Sequence, residues 1–161
     1  MKRTLGSCTI LFLGLAAIPT IAPAQEPNGL VGVWFAEVIP IDCSTRLVIP
    51  NAPVFRGLYM FGHDGSLTNE AAFPVVTARR SSGLGAWQHT QAQMYNGTFR
   101  FFRYSNADGT FQTMRKVTTT IVLNGDHFIS FDLFQDFDAD NNPISGVGTS
   151  GCNAVTGTRQ Q

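Results

Sequence analysis

The sequence has no uninterrupted apolar run of the roughly 20 residues that a helix needs to cross a bilayer. The greasiest stretch, Ile10 to Ile21, is broken by Gly14 and Pro19. Nor is there a long apolar stripe of 3.6-residue period, which excludes a bundle of amphipathic helices. Charge is sparse at 14% of residues, and basic side chains are scattered apart from Arg79-Arg80 and Arg115-Lys116. Nucleic acid is therefore a poor partner. No serine sits in a G-x-S-x-G elbow, so hydrolase chemistry has no motif to stand on. His63, His89 and His127 lie far apart without paired ligand spacing, and no metal site is expected from them. Asp138, Asp140 and Asn142 alternate as in a calcium loop, but Pro143 stands where the glycine belongs and no closing glutamate follows, so a hairpin turn is expected. No cofactor is implied. Asn96-Gly97-Thr98 fits a glycosylation sequon, but the leader looks bacterial and no glycan is expected.

What the N-terminus does contain is Lys2 and Arg3, the short apolar core, and Ala22-Pro23-Ala24, a small-x-small exit before Gln25. This is the pattern of a secretory signal peptide over 1–24, with a membrane anchor as the alternative. Leu5-Gly6-Ser7-Cys8 resembles a lipoprotein box but precedes the apolar core, so acylation at Cys8 is not expected. Removing 24 of 161 residues leaves one domain, 25–161, carrying 9 basic and 11 acidic side chains and no further membrane-inserting segment. The expected location is periplasmic or secreted.

Cysteine is scarce. Of three, Cys8 leaves with the leader, and Cys43 and Cys152 remain for an oxidising compartment, either as one disulfide or as two free thiols. Glycine and Asn/Asp-Gly punctuation between stretches rich in Val, Ile, Thr, Phe and Tyr predicts an all-β chain. Strands are expected at 30–39, 53–61, 66–72, 84–90, 94–104, 110–123, 127–137 and 145–158. Eight consecutive strands suit an antiparallel up-and-down barrel, which removes its edges by closing. The connections 40–52, 73–83 and 138–144 are long, and 105–109 lies at the same end, so one end is a loop-rich mouth and the other a tight floor. A barrel of this size can hold one small ligand.

If the first and last strands close the barrel antiparallel, facing positions have a nearly constant sum. Cys43 and Cys152 sum to 195, Trp34 and Arg159 to 193. The cysteines would staple the seam near the mouth, and Arg159 would cover the Trp34 ring near the floor. Pro40 cannot donate to that ladder.

Gly32-Val33-Trp34, the eight-strand meander and the late Arg159 together resemble the lipocalin and wider calycin pattern. In that pattern a G-x-W tryptophan is covered by an arginine at the closed end. Gly85-Ala86-Trp87, the aromatic strand from Thr98 to Tyr104, Asp108-Gly109-Thr110-Phe111 and Gly157-Thr158-Arg159 are similar to those of small exported bacterial lipocalin-like proteins of unknown role. The resemblance implies binding of a small apolar ligand, with Trp34 and Arg159 structural.

Strand parity supplies the candidate contacts. Tyr95, Gly97, Phe99, Phe101 and Arg103 share one face; so do Phe111, Thr113, Arg115, Val117, Thr119 and Ile121. On the next strand His127, Ile129, Phe131 and Leu133 form the more apolar face and are expected inside, leaving Ser130, Asp132 and Asp136 outside with Phe128 and Phe134. The expected ligand contacts are Trp87, Tyr95, Phe99, Phe101, Arg103, Phe111, Arg115, Phe131 and Leu133. If Arg103 and Arg115 enter the cavity they need a ligand carboxylate or an inward carboxylate such as Glu70; arginine's preference for exposure favours the rim. Three functions stay open: a carrier of a small apolar or amphipathic ligand, a cofactor-free cyclase or isomerase that shapes its substrate, and an interaction or inhibitor protein whose core is filled by its thirteen phenylalanines.

Overall fold

The computed structural model describes residues 29–72 and 79–161. The expected leader, 1–24, lies outside them. The described residues form nine strands: β1 (Gly32–Ile41), β2 (Phe55–Phe61), β3 (Ser66–Ala72), β4 (Arg79–Arg80), β5 (Gly83–Gln91), β6 (Met94–Tyr104), β7 (Phe111–Asn124), β8 (His127–Phe137) and β9 (Ser150–Arg159). β4 and β5 pair in line with the same edge of β6, Arg80 opposite Arg103 and Leu84 opposite Arg100, so they make one interrupted stave. The wall is thus an eight-stave, all-antiparallel, up-and-down barrel closed by β1 on β9. Among the described residues no helix is long and apolar enough to cross a membrane.

The seam keeps the sum of 193 along its length, from Trp34 opposite Arg159 to Ile41 opposite Cys152. Cys43, two residues past the end of β1, is bonded to Cys152. The last expected strand starts five residues late. Gly146 (φ 150°) and Gly148 (φ 77°) turn the chain there, and Thr149 closes that turn on the Gly146 carbonyl. β4 is gained from the expected third loop, because Arg79 and Arg80 find open ladder positions beside Tyr104 and Arg103.

At the tight-turn end the interior is solid. Trp34, Phe61, Leu67, Ile121, Leu123, Phe128 and Val155 are fully buried there, and the Trp34 and Phe128 rings meet edge-on at 5.2 Å. Gly157 is what makes room: a Cβ at that position would sit 2.1 Å from the Phe128 ring. Trp34 Nε1 donates to the Leu30 carbonyl (2.9 Å), bringing the segment before β1 under the floor. Arg159 lies 4.2 Å above the Trp34 ring and donates to the carbonyls of Val31 (2.6 Å) and Gly29 (2.8 Å) and to Asp126 (2.9 Å). Every arm of that guanidinium is occupied, which suits a structural closure.

One expected face is reversed. In β8, Phe128, Asp132 and Asp136 are buried, whereas Ile129 and Leu133 are 61% and 51% exposed. Register requires this: Asp132 stands opposite Thr119 and Asp136 opposite Arg115, and β7 turns Arg115, Val117, Thr119 and Ile121 inward. Cross-strand partners share a face, so the arginine-bearing interior of β7 admits the carboxylates of β8. Phe131 is outside too, its ring covered by Arg46 of the β1–β2 connection at 3.5 Å.

Candidate ligand cavity

Above the floor the barrel is hollow. A cavity of about 410 Å³ runs toward the mouth, where Ile49 of the β1–β2 connection and Gly148 of the β8–β9 connection border it. Its apolar wall is Val38, Pro40, Phe55, Ala71, Phe99, Phe101, Val117 and Phe134. Size and lining are those of small-molecule sites in general. Set into this wall are three arginines and Asp132, with Asp136 behind two of the arginines.

Near the mouth, buried Asp136 is shared by two cations. Arg115 grips it with two prongs, Nε to Oδ1 at 2.5 Å and Nη2 to Oδ2 at 2.9 Å, and Arg103 Nη1 meets Oδ2 at 2.7 Å. Arg115 also donates to the Gly148 carbonyl (2.8 Å) and lies 4.0 Å from the Phe134 ring centre. Both arginines thus turn inward near the mouth and share one carboxylate of β8, which leaves a single positive charge between them; neither pairs with Glu70, which points outward and is exposed.

Arg80 differs. Its Nη2 donates to the Asn69 carbonyl (3.0 Å) and to Asn69 Oδ1 (2.8 Å), its Nε to the Ser81 carbonyl (3.0 Å), and the guanidinium lies 3.7 Å over the Phe101 ring. It has no carboxylate partner among the described residues. Burial lowers its pKa to about 10, so it stays charged at neutral pH.

Asp132 is the other uncompensated group. It is buried, lines the cavity and accepts from the Ser130 hydroxyl (2.9 Å) and the Thr119 side chain. Burial pushes its pKa up to about 6, with those hydrogen bonds opposing the rise. Tyr59, also buried, has its pKa raised first by burial and then by the charge of Asp132, while Arg80 acts the other way. Tyr59 therefore stands within electrostatic reach of both.

Of the expected contacts, Phe99, Phe101, Arg103 and Arg115 line the cavity. Tyr95 and Trp87 lie below it in the floor, 5.6 Å apart, with Trp87 Nε1 donating to the Gly62 carbonyl (3.1 Å). Phe111 is on the outer surface against Phe102 (5.9 Å), because an irregularity at Arg103/Tyr104 puts Tyr104 opposite it. Phe131 and Leu133 are outside, with the rest of their face of β8. Tyr59, Asn69, Arg80, Asp132 and Phe134 are the cavity residues that sequence reasoning missed, together with Asp136, which holds Arg103 and Arg115 from behind the wall. The need of Arg103 and Arg115 for a carboxylate was a usable signal for Asp136, one strand on from Arg115 and two from Arg103. Comparison with known protein families, curated proteins and solved structures found no match to this chain.

Proposed function

We propose that this is an exported binding protein that holds one small amphipathic molecule in the upper half of a lipocalin-like barrel. The observation that carries the reading is the contrast inside one barrel. The floor is packed solid, while about 410 Å³ above it is left open and lined by apolar side chains with a few convergent polar groups. A protein whose own phenylalanines filled the barrel would not need three arginines turned inward, each of which carries a desolvation cost. Export is supported by the Cys43–Cys152 bond, which persists in oxidising compartments, and by the leader pattern over 1–24.

The test is titration with a fluorescent amphiphile, 1-anilinonaphthalene-8-sulfonate, against the protein and its Ala71→Trp variant. Ala71 lines the cavity, so the indole should occupy the ligand's space. Saturable binding by the parent, lost at least tenfold in the variant with an unchanged melting temperature, supports the reading. Equal binding by both proteins, or none by either, contradicts it. Conversion of a bound compound to an isomer over time would move the assignment to the cyclase or isomerase alternative.

A further inference from the structure

Three donors in the cavity have unused capacity. Tyr59 Oη, Asn69 Nδ2 and Arg80 Nη1 make no hydrogen bond to any described residue, yet Tyr59 and Asn69 are 5% and 2% exposed and all three residues line the cavity. They are not sealed in the wall, since the one sealed, unpartnered side-chain polar atom among the described residues is Thr113 Oγ1. The Asn69 amide orientation is fixed by Arg80, which donates to Oδ1 and so turns Nδ2 away as a donor. Asn69 stands opposite Tyr59 in the β2–β3 ladder, and Arg80 holds Asn69 directly. The three thus form one cluster of donors around a positive charge that has no salt bridge among the described residues, exposed Glu70 acting on it only from beyond contact distance. Buried donors of this kind are costly unless something accepts from them.

We propose that the ligand is an amphipathic carboxylic acid whose head group is held by Tyr59, Asn69 and Arg80 in the cavity that Asp132 also lines, so that binding at neutral pH takes up a proton. This rests on the cavity-binding reading above and names its head group and its proton linkage. A carboxylate is the anion that fits. Its two oxygens can accept from a guanidinium edge and from the phenol and amide together, and as a monoanion it can lie near Asp132 if one proton is shared between the two acids. A phosphate dianion would meet Asp132 with greater repulsion.

The groups around Asp132 are few. β2 contributes Tyr59, β4 Arg80, β6 Arg103, and β7 Arg115 with the Thr119 hydroxyl; Asp136 lies on Asp132's own strand. The inward residues of β1, β3, β5 and β9 there, Val38 and Pro40, Asn69, Gly83, and Asn153 and Val155, do not titrate. Arg103 and Arg115 are committed to Asp136, so Asp132 is the group left to change protonation when an anion arrives. Buried in the same cavity wall and within electrostatic reach of Tyr59, it is the sensor of the head group's charge.

Isothermal titration with decanoate, decanol, methyl decanoate and decyl phosphate, at pH 7.5 in two buffers of different ionisation enthalpy, tests this. Decanoate should bind at least tenfold more tightly than the alcohol or the ester and more tightly than the phosphate, and its binding should take up a fraction of a proton. Decanoate affinity should rise as pH falls from 8 to 6. Asp132→Asn should abolish the uptake while keeping decanoate binding, and Arg80→Met, which keeps the contact with Phe101, should lose at least tenfold for decanoate but little for decanol. Tyr59→Phe supplies the same comparison should Arg80→Met not fold. Alcohol binding as tight as acid binding, or unchanged proton uptake in Asp132→Asn, overturns the proposal while leaving the cavity reading intact. Failure of all four compounds to bind overturns both.

Discussion

The floor and the upper half of this barrel are built from the same staves and similar side chains, yet they leave their polar groups in opposite conditions. At the floor, Arg159 covers Trp34 and spends its donors on Val31, Gly29 and Asp126; the aromatic rings below touch edge to face and leave no room. In the upper half, Arg80 covers Phe101 in a similar stacked pose, but no carboxylate among the described residues is in salt-bridge contact with it, and Tyr59 and Asn69 beside it keep donors free. An arginine on an aromatic ring is thus a closure in one place and a socket in the other. What separates the two is whether its hydrogen bonds are complete, because a satisfied network rigidifies whereas spare buried donors await a partner.

Substitutions should expose that division. The largest effect is expected at the floor: Trp34→Ala should cost about 3–5 kcal/mol in denaturant unfolding, as for other fully buried aromatic truncations, without a selective loss of ligand affinity in the folded fraction. Next is Asp136→Asn, which leaves Arg103 and Arg115 without their shared carboxylate. Breaking such a pair costs about 3 kcal/mol when both partners are buried, and somewhat less is expected here because the arginines are partly exposed. Reduction of Cys43–Cys152 should lower stability by about 2–4 kcal/mol, read as a fall in melting temperature with reductant; equal melting would show that the staple contributes nothing.

Asp132→Asn should have an effect of opposite sign. A carboxyl held at about 6 against an ordinary 3.8 opposes folding once pH exceeds its unfolded value, and the penalty grows until about pH 6 and is constant above it. The variant should therefore gain up to about 3 kcal/mol over the parent at pH 8 and nothing at pH 3. Chemical denaturation at both pH values checks this, and a gain that did not depend on pH would remove the buried charge from the account.

Much of this division was legible in the sequence. Turn residues set the strands, and the constant sum of Trp34 with Arg159 placed the seam and the cysteine staple, because register is geometric and survives any choice of side chain. The floor was readable for the same reason: Trp34 and Arg159 act within one strand pair. The socket was not, since its chemistry is assembled across staves. The parity of β8 misled because apolar character alone assigned the inside, whereas Ile129 and Leu133 lie outside and the acids lie within, drawn by arginines on a different strand. Arg80 looked like half of a basic doublet in a loop until β4 placed it in the wall beside Asn69. Phe111 kept the parity of Arg115 but lost its place to an irregularity at Arg103/Tyr104 that no residue pattern announces.

The central claim is that the upper half of the barrel is a socket for a small amphipathic acid. Native mass spectrometry of the protein purified from its own host tests it most directly. The account predicts a one-to-one adduct whose mass suits a cavity of about 410 Å³ and which is shed on denaturation and detected as an acid in negative-ion mode. A single unliganded mass, with no adduct formed when decanoate is added, would contradict it.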